Sequence, residues 1–130
     1  MKKYLVDSDI LMDFFKKKPY ATDLLQRLQS QGELVISILS VAELCAGWTS
    51  KEINFFIPRL YTLVICEGIT KTIAECAGKW RHNYKVKGLN LSTIDTLIAA
   101  TAIEYHYELV TRNRKDYPMP ELRLYNFKPV

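Results

Sequence analysis

The order of apolar and polar positions predicts short strands alternating with amphipathic helices. Lys3 to Val6 is a brief apolar run that stops at a polar cluster, as a buried strand does. Ile10, Leu11, Phe14 and Phe15 then recur at helical spacing, and Lys16 to Lys18 place positive charge at that helix's C-terminal end. Pro19 opens a second helix with Leu24, Leu25 and Leu28 on one face, ended by Gly32. Leu34 to Ile36 reads as a second strand, and Ser40-Val-Ala-Glu43 before Leu44 as the first turn of another helix. A further helix precedes Pro58 or runs through it, and Leu63 to Ile65 reads as a third strand. A long helix from about Thr70 to Tyr84 carries Ile73, Ala77, Trp80 and Tyr84 on one side, with Gly88 beyond its end. Ser92 precedes a last helix whose apolar face is Ile94, Leu97, Ile98, Ala102 and Tyr105, and strands follow at Leu109 to Thr111 and Leu122 to Leu124.

Alternating strands and helices joined by short polar turns point to a parallel sheet covered on both faces by right-handed crossovers. The expected architecture is a three-layer α/β/α sandwich with a central parallel sheet of about five strands, one domain over residues 1–130. An apolar fraction of 48% and a charged fraction of 25% are globular values and argue against disorder and coiled coils. No apolar run approaches a membrane span, and only three apolar residues separate Lys3 from Asp7, so neither a signal peptide nor an anchor is expected. Cys45, Cys66 and Cys76 are odd in number, lack CxxC spacing and lie in apolar patterns, which predicts free buried thiols and a cytoplasmic location.

Ligands of open parallel sheets bind beyond the carboxyl ends of the strands. That rule selects Asp7 and Asp9 after the first strand, Glu43 in the helix after the second, and Asn113 and Asp116 after the fourth. Asp95 joins them if its helix starts at the same edge. Carboxylates within ~5 Å repel by about 3 kcal/mol per ionised pair at an effective dielectric near 20, which a bound cation relieves. An oxygen-only set without neighbouring Cys or His favours Mg²⁺ or Mn²⁺ and suits metal-assisted phosphodiester hydrolysis.

Each acid also has a plainer role open to it. Glu43 follows Ser40 by three residues and Asp95 follows Ser92 by three, so both fit capping boxes, and Asp7, Asp9 and Asp116 fit turns or helix caps.

The net charge is +4, yet setting aside Asp7, Glu43, Asp95 and Asp116 leaves ten acids against eighteen bases. An acidic pocket in a basic surface suits a polyanionic substrate. Arg112, Arg114 and Lys115 flank Asn113 at that pocket and are candidate RNA contacts, whereas Lys79, Arg81, Lys85 and Lys87, interleaved with Trp80 and Tyr84, read more simply as a solvated helix face over core aromatics. His82 and His106 lie in helical segments away from the strand ends, which leaves acid–base ribonuclease chemistry by histidine with little support.

Four segments together resemble the PIN-domain ribonucleases, and among them the VapC-type toxins of toxin–antitoxin pairs: Val6-Asp-Ser-Asp-Ile-Leu11, Ser40-Val-Ala-Glu-Leu44, Ile94-Asp-Thr-Leu-Ile-Ala-Ala-Thr-Ala102 and Thr111-Arg-Asn-Arg-Lys-Asp-Tyr117. The resemblance implies that Asp7, Glu43 and Asp95 form an acidic triad holding Mg²⁺ or Mn²⁺, with Asp116 a fourth, more variable acid. It implies supporting roles for Ser8, which would orient Asp7 or a water, and for Asn113. Asp9 stands where Asn or Ser is commoner, and Tyr117 where Phe is. The resemblance further implies cleavage of cellular RNA (tRNA, rRNA or mRNA) to inhibit translation, a homodimer, and a small VapB-like antitoxin. The alternatives are a non-catalytic RNA- or protein-binding domain of the same fold, and a haloacid-dehalogenase-like phosphatase with Asp7 as nucleophile, which lacks its later acidic pair here.

Overall fold

The computed structural model describes residues 1–128. In chain order the elements are β1 (Lys2–Val6), α1 (Ser8–Phe15), α2 (Pro19–Gln31), β2 (Gly32–Ser37), α3 (Ile38–Gly47), α4 (Ser50–Leu63), β3 (Ile65–Glu67), α5 (Lys71–Val86), α6 (Thr93–Glu104) and β4 (Glu108–Val110). A 3-10 turn follows at Arg114–Asp116. All strand pairs are parallel, in the order β3-β2-β1-β4, with Leu5 of β1 opposite both Val35 and Leu109.

The period-2 pattern of the strands divides the core in two. Tyr4, Val6, Leu34, Ile36 and Val110 pack with residues of α1 to α4, including Ile10, Leu25, Leu44 and Leu60. Leu5, Val35 and Leu109 pack instead with Ile98, Ala99 and Ala102 of α6 and with Tyr117, Met119 and Leu122. Small residues bring α5 against α6, where Ile73, Ala77 and Ala100 form a third buried cluster. These are the three expected layers.

The sheet has four strands rather than about five. The expected strand at Leu122 to Leu124 is one parallel bridge, in which Leu109 donates to the Arg123 carbonyl at 2.8 Å and accepts from the Tyr125 amide at 2.8 Å. β4 is only three residues long, and the segment that would pair with it follows Pro118 and Pro120, so little ladder can form. β3 begins at Ile65, not Leu63, because α4 runs through Pro58 to Leu63 behind a Thr49–Glu52 capping box. α3 starts at Ile38, capped by Ser37, so Ser40 and Glu43 are interior helix positions and form no capping box.

Two further expectations resolve at this level. Trp80 and Tyr84 lie partly buried against the α6 side of the core, so the basic stretch of α5 is a solvated face over core aromatics. The three cysteines are free as expected, but none is buried and Cys66 is exposed on the edge strand β3. Among the described residues no helix is long and apolar enough to cross a membrane.

α2 passes directly into β2 at Gly32, which pairs with Lys2. A Cβ on Gly32 would strike the Lys2 carbonyl oxygen and lie 2.8 Å from its carbon, both backbone atoms that cannot swing away. Gly32→Ala is therefore expected to destabilise the fold by about 2 kcal/mol through forced separation of β1 from β2, measurable as a lower urea midpoint. An unchanged midpoint would mean the two strands part without cost.

Candidate metal-binding and catalytic site

β1 lies between β2, reached first by the chain, and β4, reached last, so the strand order reverses beside β1. A crevice opens at the carboxyl edge of such a switch point. Asp7 ends β1 at this crevice, with its amide donating to the Val110 carbonyl at 2.9 Å.

Asp7 caps α1, but capping uses only one end of its carboxylate. Oδ1 accepts from the Ser8 amide at 2.8 Å, while Oδ2 accepts from the Thr111 hydroxyl at 2.9 Å and from the Tyr117 hydroxyl at 2.8 Å. The residue is only 6% exposed. Burial pushes its carboxyl up, the Tyr117, Thr111 and Ser8 donors pull it back in part, and the charge of Asp95 adds to the rise.

Two neighbours tie the other acids to it. Ser8 also donates its hydroxyl to Glu43 Oε1 at 3.1 Å, joining the start of α1 to the middle of α3. The Tyr117 hydroxyl lies 3.4 Å from Asp95 Oδ1, joining the segment after β4 to the first turn of α6. Glu43 is pushed up by burial and by the charges of Asp7 and Asp95, against the Ser8 hydrogen bond. The helix-start role of Asp95 is half realised: Ser92 accepts from its amide at 3.0 Å, but the carboxylate turns toward Tyr117.

The remaining expected residues divide. Asp9 braces the loop after β4: its Oδ1 accepts from the Ile10 amide at 2.7 Å, and its Oδ2 accepts from the Arg112 amide at 2.9 Å and lies 3.4 Å from the Thr111 hydroxyl. Arg112 joins the same brace, its Nε 3.0 Å from Asp13 Oδ2 and 4.0 Å from Asp9 Oδ2. Arg114 donates to the Tyr125 carbonyl at 3.0 Å, while Lys115 is exposed. Asn113 donates its amide to the Thr111 hydroxyl at 3.1 Å and heads the 3-10 turn. Asp116 ends that turn half-buried, and no hydrogen bond or ion pair among the described residues links its carboxylate to the other three. His82 and His106 are exposed.

Three participants escaped sequence reasoning. Thr111 stands directly after a strand, where the rule that selected Asp7 would have selected it as well. Tyr117 was visible only as an unusual residue in its motif. Asp13 is 2% exposed and binds Arg112, Lys18 at 3.2 Å and the Tyr20 hydroxyl. Burial alone would raise its carboxyl, but these three partners outweigh it and hold it below the usual carboxylate range.

As the side chains stand, the described residues hold no group of three or more His, Cys, Asp or Glu that encloses an ion. The donor set nonetheless fits a hard divalent cation: it is oxygen-only, the charge of Asp95 raises Asp7, both raise Glu43, and Glu43 and Asp95 are partly exposed, with room to turn. Asp7 keeps one Oδ1 lone pair, since a carboxylate has about four acceptor positions and three are taken.

Asp9 sets a pH response for the metal-free protein. Burial, then the charge of Asp7, raise its carboxyl to about 6 against the Arg112 and Ile10 donors. The folded state thus binds more protons than the unfolded one between about pH 4 and 6, and stability falls as pH rises through that window. Asp13 works in the opposite sense, but its contribution is lost only at more acidic pH. In chelator, stability at pH 5 is expected to exceed that at pH 7.5 by on the order of 1 kcal/mol, seen as a higher melting temperature. A lower melting temperature at pH 5 would show that Arg112 already neutralises Asp9.

A PIN domain model matches residues 4–119, nearly the whole described chain. The chain belongs to the PIN-domain family. This PIN domain is 32% identical over 121 residues to Ribonuclease VapC19 of Mycobacterium tuberculosis, covering 92% of this chain and 96% of that one. It is 34% identical over 117 residues to Ribonuclease VapC10 of the same species, covering 90% and 87%. Among solved structures it is similar to VapBC2 of Rickettsia felis bound to a promoter DNA fragment, with a TM-score of 0.83, 26% identity, and coverage of 97% of this chain and 99% of that one. The matched span begins in β1 and closes just past Tyr117.

Proposed function

We propose that this PIN domain is a metal-dependent endoribonuclease and the toxin of a VapBC-type toxin–antitoxin pair. The carrying observation is the convergence of Asp7, Glu43 and Asp95, from three separate elements, on the switch-point edge, linked through Ser8 and Tyr117. Two Mycobacterium tuberculosis relatives bearing the name ribonuclease, and a VapBC complex of the same fold, support the reading.

Asp7, Glu43 and Asp95 would hold Mg²⁺ or Mn²⁺, with Asp116 as a fourth acid. When bound, the ion supplies positive charge that polarises a phosphodiester and offsets charge developing in its hydrolysis. The chain's own part is positional. Ser8 fixes Asp7 Oδ1 and Glu43 Oε1 relative to each other, and Thr111, just after β4, fixes Asp7 Oδ2. Asn113 and Lys115, both exposed, would meet the RNA backbone. A cytoplasmic VapB-like antitoxin that covers the acidic edge, and a homodimer, complete the proposal.

Incubating the protein with total bacterial RNA in Mg²⁺, Mn²⁺ and chelator tests it. Metal-dependent cuts with 5′ phosphate and 3′ hydroxyl ends are expected. Chelator-resistant cuts with cyclic phosphate ends would move the chemistry elsewhere, and RNA retention without cuts under any metal would make this a binding domain.

A further inference from the structure

We infer that Tyr117 is a positioning residue for the metal site: its hydroxyl pins Asp7 Oδ2, so that Asp7 meets a divalent ion through Oδ1 alone. This rests on the reading that Asp7, Glu43 and Asp95 bind such an ion.

The phenol is 3% exposed, and its ring packs in the core cluster with Leu5, Met119 and Leu122 beneath the crevice. It enters the site from below, on the side away from solvent. It has one proton to donate and two carboxylates within reach. Asp7 Oδ2 at 2.8 Å is the better acceptor, and Asp95 Oδ1 at 3.4 Å lies at the limit of a hydrogen bond. Burial and the charges of Asp7 and Asp95 push the phenol's own ionisation far upward, so it stays a donor.

With Thr111 on the same oxygen, both Oδ2 acceptor positions are filled. The Ser8 amide fills one position on Oδ1, and a single position remains for a metal. Tyr117 thereby fixes the rotation of the Asp7 carboxylate and sets which of its oxygens faces the crevice. A phenylalanine would fill the same core space without the donor, leaving Oδ2 held by Thr111 alone.

Partners of this kind commonly contribute ten- to hundredfold in metal affinity. The test is a Mn²⁺ titration of the full chain, with free ion followed by electron paramagnetic resonance, comparing the unaltered protein, Tyr117→Phe and Asp95→Asn. Affinity is expressed per folded molecule, with the folded fraction taken from near-ultraviolet circular dichroism. A purely structural role for Tyr117 would lower the folded fraction and leave that affinity alone. Tyr117→Phe is expected to bind Mn²⁺ ten- to hundredfold more weakly than the unaltered protein, with its metal-free fold retained. Equal or tighter binding by Tyr117→Phe, while Asp95→Asn binds poorly, overturns the positioning role and leaves the metal site standing. Failure of the unaltered protein to bind Mn²⁺ overturns the metal reading and the role of Tyr117 with it.

Discussion

Asp95→Asn is expected to reduce metal-dependent RNA cleavage on the order of a thousandfold while leaving the metal-free fold within about 1 kcal/mol of the original. Asn keeps the shape of the side chain and the backbone amide that Ser92 accepts from, so the start of α6 survives. Two small effects then oppose each other. The helix loses a favourable negative charge in its first turn, worth about 0.3–1 kcal/mol, and the site loses a charge that opposes ionisation of Asp7 and Glu43. Asp7→Asn is a poorer probe of chemistry, because Asp7 accepts three hydrogen bonds and an amide presents a donor to at least one of them. Parallel measurements of cleavage rate and of melting temperature in chelator separate the outcomes. A large fall in the melting temperature of Asp95→Asn would make Asp95 a helix cap, and unchanged cleavage would remove it from the site.

The largest effect on stability is expected from Asp13→Ala, a loss of about 3 kcal/mol, read from chemical denaturation. The carboxylate is almost wholly enclosed and gathers Arg112, Lys18 and Tyr20 from the segment after β4, the α1–α2 connection and α2. Its removal leaves the Tyr20 hydroxyl without its acceptor and Arg112 without its nearer anion. The two cations remain partly exposed and recover some hydration, which keeps the loss at the lower end of the range for broken buried pairs. Cleavage should weaken as well, because Arg112 is the neighbour of Thr111 and its release loosens one of the anchors of Asp7. A variant of unaltered stability would show that Asp9 alone restrains Arg112.

The elements that a periodic pattern defines were readable along the chain, and those that depend on distant partners were not. β1 and α6 lie near their expected places, but α6 buries Thr96, Ala99, Ala100 and Thr101 along with Ile98 and Ala102 and leaves the expected Ile94 and Tyr105 exposed. The strand-end rule found Asp7, Glu43 and Asp95 because parallel topology turns chain order into a shared edge. Asp116 was selected by the same rule, but among the described residues its carboxylate has no bond to the other three, and Arg112, selected from its charge cluster, is paired with Asp13 and Asp9. Ser40 has the capping-box spacing in the sequence, but β2 runs only to Ser37, and it is Ser37 that caps α3. The fifth strand failed for a comparable reason: its apolar alternation is real, but its neighbour β4 is too short to accept a ladder. Asp13 carried no signal in the sequence, since one of its partners, Arg112, lies at the far end of the chain.

The hydroxyls that hold Asp7 belong to residues 104 and 110 positions downstream of it. Contacts of such separation form after most of the loop-closure entropy has been lost, and a ribosome delivers these two residues late. During its own synthesis the protein therefore holds Asp7 with only its neighbour Ser8 as a brace until Thr111 and Tyr117 have emerged. The topology sets an order: residues 111–117, which complete the hold on Asp7, emerge after Glu43 and Asp95.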